Sequence, residues 1–519
     1  MVTVTGTGMP ARFVRHNIAW RAVLLAIVTT NTSFPVFAAT WTITPSITVN
    51  ETATDNVGLS DSNQQSELIT DISPGIRVDA LGGRSKLHFD YQLHNLLYAQ
   101  DASRNRTQNS LNALGTLEAV DNWLFIDASG FISQQNISAF GSTTSTAVNT
   151  NTNSNTTETS TYSISPYIQG SFGTIADYQL RYRATDTSTR SGQAFDSQTR
   201  QWTGNLKGQT GLTNLGWSLD ANSQTATFNN GRSNNDDRLR GTLIYQFDPQ
   251  FRVSLLGGRE SNDYLSASKK SYTTKGAGFE WAPTERTLIS ANREERFFGT
   301  SNTFSVSHRT ALTAWSFKQS KDASVQNNQQ TGVGTSYDQW LQLYMSALGC
   351  DPSKSDYVPC VNQANTSALA QTNALGAGGF LTSGVTLQQR REFSVALLGA
   401  RNAVTFAASQ SQSESLSGGL ILVGNDLSSA HQVKQRVESI NWSHKLTEIS
   451  SLTGVFSHIR SNSSGGTDNI HTTQQSASLN FTTQLGPKTN AGIGARRVVV
   501  NGETSYTENA LTGVLTHQF

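Results

Sequence analysis

The feature that most limits what this chain can become is a two-residue rhythm of apolar and polar side chains that returns again and again along it. Between Lys86 and Leu93, Leu87, Phe89, Tyr91 and Leu93 alternate with Lys86, His88, Asp90 and Gln92. Successive side chains of an extended strand point to opposite faces, so such a segment has one oily face and one wet face. The rhythm recurs in Tyr178, Leu180 and Tyr182 against Gln179, Arg181 and Arg183, and in Leu239, Leu243, Tyr245 and Phe247 against Arg240, Thr242 and Gln246. Near the C-terminus, Ala477, Leu479 and Phe481 alternate with Ser478, Asn480 and Thr482. A helix would scatter these apolar residues around its circumference.

The N-terminal segment decides where such strands are used. Arg12, Arg15 and Arg21 flank or precede the apolar stretch 22–28, and Val36-Phe37-Ala38-Ala39 supplies the small residues of a cleavage site. This is the order of a secretory signal, expected over residues 1–39, with the mature chain starting near Trp41 and a barrel over 40–519. The apolar stretch is too short for a spanning helix, which takes ~20 residues to cross ~30 Å of hydrocarbon. Met9 is an alternative start, because the residues before it add no positive charge. No long apolar run follows the signal. An exported chain with half-oily strands and no spanning helix points to a closed barrel, whose backbone hydrogen bonds are all made between strands. The expected fold is all-β, a transmembrane antiparallel up-and-down barrel in the outer membrane of a Gram-negative bacterium.

Turn chemistry gives the strand count. Short connections are expected at Leu81-Gly82-Gly83-Arg84, Asp121-Asn122, Gly173-Thr174, Thr213-Asn214, Asp248-Pro249, Pro283-Thr284, His308 to Leu312, Gly399-Ala400-Arg401-Asn402, Leu446-Thr447 and Gly486-Pro487. Longer polar stretches fall between them, notably Ser138 to Ser160 and Gln319 to Gly384. Short periplasmic turns alternating with long extracellular loops accommodate ~22 strands, within ~18 to ~24. Trp123, Trp217, Trp281 and Trp315 each stand beside a proposed periplasmic turn and Trp442 close to another, as an interfacial aromatic girdle requires. Phe297 and Phe298 are read as part of the outer girdle, beside a rim ion-pair cluster in Arg293-Glu294-Glu295-Arg296.

The insertion Gln319 to Gly384 is too long for an ordinary hairpin connection. Trp340, Tyr344 and Leu348 at four-residue spacing suggest a short helix stopped by Gly349, and Cys350 and Cys360 are a candidate disulfide in an oxidising compartment. The insertion is expected to fold over or into the barrel mouth as a constriction.

Chemistry-bearing motifs are sparse. With 38 basic and 37 acidic side chains there is no electrostatic case for nucleic acid. The sequence lacks a Gly-x-Ser-x-Gly elbow and a phosphate-binding glycine loop opening a helix. Glu294 and Glu295 are neighbours in a strand and face opposite sides, and His88 and His94 share a face but lie ~20 Å apart. Neither pair makes an active site or a metal site, so no enzyme activity and no cofactor is expected. Arg181, Arg183 and Arg240 are candidate lumen-facing residues.

The final strand, Leu511 to Phe519, alternates and ends on an aromatic. It resembles the closing strand of Gram-negative outer-membrane proteins that the barrel-assembly machinery recognises, with Leu511, Leu515 and Phe519 in the signal positions. His517 and Gly513 depart from the usual apolar series. The segment from Trp41 to Val57, then Arg296-Phe297-Phe298-Gly299, Ser307-His308-Arg309-Thr310 with Trp315-Ser316, and Gly399-Ala400-Arg401-Asn402 are similar, in that order, to the PEP-CTERM system-associated outer-membrane protein family. That resemblance implies a porin-like barrel linked to exosortase sorting and exopolysaccharide, with lipid, lipopolysaccharide and exopolysaccharide or its export components as partners. Two classes of function follow: a conduit or secretion accessory, with a general diffusion porin as its variant, or a structural or binding protein whose lumen is closed.

Overall fold

The computed structural model describes residues 39–143, 148–152, 154–190, 196–229, 233–325, 379–416, 426–466 and 469–519. They form a 22-stranded antiparallel sheet in which each strand pairs with its sequence neighbours. The strands are β1 (Ala39–Thr54), β2 (Glu67–Gly82), β3 (Ser85–Tyr98), β4 (Arg106–Val120), β5 (Leu124–Asn136), β6 (Thr156–Phe172), β7 (Ala176–Thr189) and β8 (Ser197–Gln209). They continue with β9 (Leu215–Phe228), β10 (Ser233–Asp248), β11 (Phe251–Asn262), β12 (Lys270–Thr284), β13 (Thr287–Arg296), β14 (Gly299–Arg309) and β15 (Thr313–Ser324). The last are β16 (Thr386–Leu398), β17 (Asn402–Ser415), β18 (Gln432–Lys445), β19 (Ser450–Ser464), β20 (His471–Gly486), β21 (Thr489–Gly502) and β22 (Tyr506–Gln518). A one-turn helix, α1 (Asp426–Ser429), precedes β18.

The sheet closes on itself, with β1 beside β22 in antiparallel register from Ser46 opposite Gln518 to Thr54 opposite Ala510. Phe519 N donates to Pro45 O (2.9 Å), so the chain's last residue is fixed at the seam. Closure removes the unpaired strand edges that a hydrocarbon environment would not tolerate.

Connections differ between the two ends. One end carries tight turns such as 83–84, 249–250, 285–286 and 487–488. There Asn122 and Gly173 adopt left-handed backbone (φ 54° and 58°), which these two residue types reach at little cost. The other end carries 55–66, 137–155, 325–385 and 416–431. The turn expected at Pro283-Thr284 lies slightly further on, because a register shift between Trp281 and Thr284 lets β12 run through Thr284. The expected insertion also begins later: Gln319–Ser324 belong to β15, where Gln319 stands opposite Arg391 and Ser324 opposite Thr386. The strand simply outruns the apolar part of its pattern. The proposed helix around Trp340 to Leu348 and the Cys350 and Cys360 pair lie outside the described residues, as does the signal segment 1–38.

Register sorts the faces. Leu511 (65% exposed), Leu515 (47%) and Phe519 (62%) point outward, as do Leu239, Leu243, Tyr245 and Phe247 on β10. Apolar outward positions therefore run over about nine residues per strand, the length a tilted strand needs to cross hydrocarbon. Near the tight turns this face is aromatic. Phe172 stacks on Tyr178 (4.6 Å between ring centroids), Phe247 on Phe251 (5.6 Å), and Trp315 lies against Phe393 (6.2 Å). Trp123 and Trp281 are exposed in the same zone. Phe297 and Phe298 are not part of this girdle. They form the 297–298 turn at the opposite end, where Phe297 (9% exposed) is buried against Tyr264 and Tyr272 (5.5 and 6.0 Å between ring centroids) and the half-buried Phe298 packs on it.

Candidate functional site: the barrel lumen

The inward rows of the strands build the site. Arg181 and Arg183 on β7 lie two residues apart on the inward face, and Arg240 stands opposite the inward Asp220. Arg181 bonds Asp127 (2.6 Å) and Ser165 Oγ (3.0 Å), and its guanidinium lies over the Tyr167 ring at 3.9 Å. Tyr167 in turn stacks on Phe125 (5.1 Å, 13° between planes). Arg240 reaches Glu294 (3.3 Å) and Asp220 (3.7 Å). The register puts Gly258 opposite Arg240 and Gly276 opposite Glu294, so no side chain stands between the two. Glu295, on the outer face, pairs instead with Lys275 (3.2 Å).

A column of pairs lines β2 and β3: Asp79 with His88 (2.7 Å), Arg77 with Asp90 (2.6 Å) and Asp71 with His94 (2.9 Å). Ser73 Oγ also meets His94 Nδ1 (2.8 Å). The serine and the carboxylate approach the same ring nitrogen, so the imidazole cannot relay a proton between them as a hydrolase triad does. Toward the tight-turn end these wall residues are open to solvent: Arg77 and Arg183 are exposed, and Asp79 and His88 partly so.

Toward the loop end described parts of the connections enter the lumen. Of the stretch Ser138 to Ser160, expected as a long outer connection, Thr156–Ser160 belong to β6, while the described residues of 137–155 fold inward and bond to an arc of the wall that runs from β20 through β22 and β1 to β4. At one end of that arc, Gln108 Nε2 donates to Asn149 O (2.6 Å), Arg106 to Asn149 O (2.7 Å) and Asn151 O (2.6 Å), and Tyr98 OH to Thr150 O (2.8 Å). At the other, Tyr506 OH donates to Thr143 O (2.6 Å), Thr143 Oγ1 donates to Gln474, and Thr472 Oγ1 reaches Phe140 O (3.5 Å). These partners lie on β3 and β4 and on β20 and β22.

Other connections join it. Val57 O accepts from Thr152 N (2.9 Å), and Leu381 N donates to Asn136 O (3.0 Å). The described tail of the long insertion is therefore buried, with Phe380 packed on Phe140, Leu427 and Val433. Asp426 of α1 accepts from Ser138 Oγ and Ala139 N, both 2.7 Å. Burial pushes the Asp426 carboxyl above the ordinary range, against the downward pull of those two hydrogen bonds. Val148 enters a pocket of Val57, Ile69, Leu96 and Tyr98.

A buried ion pair anchors the arrangement. Glu508, 2% exposed, accepts from Arg496 (2.9 Å), Thr54 Oγ1 (3.0 Å) and Asn151 Nδ2 (3.0 Å). Toward the same end Thr150 Oγ1, Asn151 Oδ1, Arg106 Nε, Arg496 Nε and Gln474 Nε2 are buried and have no hydrogen-bond partner among the described residues. Each such atom costs about 1–3 kcal/mol relative to its hydrated state. The inward segment is held by many hydrogen bonds to the wall. None of these residues was singled out by sequence patterns.

No family model and no curated protein matches the chain. Solved structures do match. The FrpB iron transporter from Neisseria meningitidis (F5-1 variant, apoprotein form) aligns with a TM-score of 0.50 at 10% identity, covering 92% of this chain and 81% of that one. The siderophore receptor PirA from Acinetobacter baumannii (TM-score 0.46, 8% identity) and that from Pseudomonas aeruginosa (0.43, 7%) each cover 92% of this chain and 80% of their own. At such identities the likeness is one of fold. The closed sheet, the apolar outer band and this likeness together define an outer-membrane β-barrel, located in the bacterial outer membrane.

Proposed function

We propose that the protein is a conduit of the outer membrane, held shut at its loop end by its own 137–155 segment and serving exopolysaccharide export, with the tight turns facing the periplasm. The observation that carries this reading is the segment held inside the lumen, its described residues bonded to inward side chains of β3, β4, β20 and β22, which lie along one continuous arc of the wall. A segment held against that arc narrows the passage, which a general diffusion porin has no need of. It suits a passage that opens for a particular cargo. The open lumen below is lined by neutral hydrogen-bonding rows and by arginines paired with carboxylates, a surface suited to a hydroxyl-rich chain without net charge. The similarity to PEP-CTERM system-associated barrels supports the link to exopolysaccharide. The test is a deletion strain: the expected result is loss of surface polysaccharide with polymer retained in the periplasm, and unchanged surface polymer would overturn the reading.

A receptor reading has one observation in its favour. Outer-membrane barrels of 22 strands are typically transporters with plugged lumens, and the fold likeness is to an iron transporter. A growth defect of the same strain confined to iron limitation would favour it over export.

A further inference from the structure

Above the apolar band, the outer face of β15 to β20 carries one cross-strand row in which each residue stands opposite the next: Gln319, Arg391, Gln410, Arg436, Arg460, Thr473. Arg391, Arg436 and Arg460 are exposed. Arg436 Nε donates to Gln410 Oε1 (3.1 Å) and Arg460 Nε to His458 Nε2 (2.7 Å), so neither bond brings a carboxylate to these guanidinium groups. Glu438 and Glu414 face the same side, and Lys434 adds a fourth cation one step toward the loops. Among the described residues no ion pair joins these carboxylates to the arginines.

Like charges directly opposite each other destabilise a sheet, as Arg436 and Arg460 must. On β12 and β13, two strands before the row begins, the protein avoids this, pairing Lys275 with Glu295 on the outer face (3.2 Å). The unpaired row also has a particular floor. The next row toward the tight turns is apolar at Phe317, Phe393 and Ala408 and polar at Glu438, His458 and Gln475, and the row after it is apolar throughout, at Trp315, Val395, Phe406, Ile440, Phe456 and Ala477. Phe393 lies against Trp315 and against Phe406, each at 6.2 Å between centroids. Arg391 therefore stands directly above the apolar band, and Arg436 and Arg460 one polar row above it, at the level of lipid headgroups.

We propose that Gln319, Arg391, Gln410, Arg436 and Arg460 form an outward-facing binding site for the phosphorylated sugar headgroup of an outer-leaflet glycolipid, lipopolysaccharide. Guanidinium forks match phosphate oxygens two at a time. Arg391 and Arg460 are three strand spacings apart, roughly 14 Å at about 4.8 Å each, a span suited to two phosphates at the ends of a disaccharide. The glutamine amides supply hydrogen bonds to sugar hydroxyls, and the aromatic rows below take the acyl chains.

The full chain, refolded in detergent and checked for barrel formation by heat-dependent gel migration, is titrated with diphosphoryl lipid A, with its dephosphorylated form and with inorganic phosphate, bound lipid being read by native mass spectrometry. Each arginine at an anionic surface is worth about fivefold in affinity, so Arg391→Gln, Arg436→Gln and Arg460→Gln together are expected to weaken diphosphoryl lipid A binding by roughly a hundredfold. Arg436→Gln alone, which keeps the rest of the row, is expected to lose about fivefold. Lys275→Gln with Glu295→Gln, an outer-face pair on β12 and β13 outside the row, leaves binding unchanged. Undiminished binding by both arginine variants, equal binding of the dephosphorylated lipid, or displacement by millimolar inorganic phosphate would overturn the proposal.

Discussion

The two halves of the lumen are built from the same strands and the same alternation, yet they differ in what meets the inward side chains. Nearer the tight turns, Arg77, Asp79 and Arg181 pair with Asp90, His88 and Asp127, both partners of each pair being partly exposed. Near the loops, Glu508, Arg496, Asp71 and His94 are buried, covered by segments that fold back into the barrel. Alternation thus decides which side chains look inward, and the connections decide whether the inside is a vestibule or a closed core. The difference also sets the energetics, because exposed pairs are worth little while the loss of one partner from a buried pair leaves a desolvated charge.

The largest expected break in that comparison is Glu508→Ala. It strands Arg496 and releases Thr54 and Asn151, and should lower stability by roughly 3–5 kcal/mol in urea unfolding of the refolded barrel. Arg181→Ala in the open half is the matched control. Its pair with Asp127 is partly exposed and screened, so a loss within about 1 kcal/mol is expected. Equal losses at the two sites would erase the distinction between the halves.

Tyr506→Phe should cost about 1 kcal/mol by removing the hydroxyl that holds Thr143 O, and should raise amide exchange in 137–155 while leaving the tight turns unchanged. The smallest effect is a pH dependence at α1. Burial raises the Asp426 carboxyl in the folded state, so its contribution to docking is full below the carboxyl's ordinary range and fades as pH rises through the raised value. Exchange in 137–155 should therefore increase on going from acid to neutral pH, and Asp426→Asn should flatten that increase.

How much of this was legible in the sequence follows from what each pattern encodes. The oily and wet faces of Lys86 to Leu93 and Leu239 to Phe247 were legible, because period two maps directly onto a pleated strand, and glycine, asparagine and proline marked most tight turns. The strand count of 22 followed from them. The inward fold of 137–155 was not legible, since a Ser/Thr/Asn-rich connection has the same composition outside a barrel or inside one. A fainter signal did exist. Val498-Val499-Val500 and Leu96-Leu97 interrupt the alternation near the loop end, and an apolar inward residue there requires a cover. Phe140 and Val148, isolated in a polar segment, provide it together with the neighbouring connections. Phe297 and Phe298 misled for the converse reason: aromatic residues beside charge look interfacial until the turn that carries them is seen to bury Phe297 against Tyr264 and Tyr272.

The closure itself is tested most directly by removing residues 139–143 and 148–152 with the stretch between them, joining the ends with a short glycine linker, and comparing the variant with the full chain in planar bilayers. The full chain is expected to be silent or to open only briefly, and the shortened chain to give steady ohmic conductance. Steady conductance by the full chain, or a properly folded shortened chain as silent as its parent, would contradict a lumen held shut by that segment.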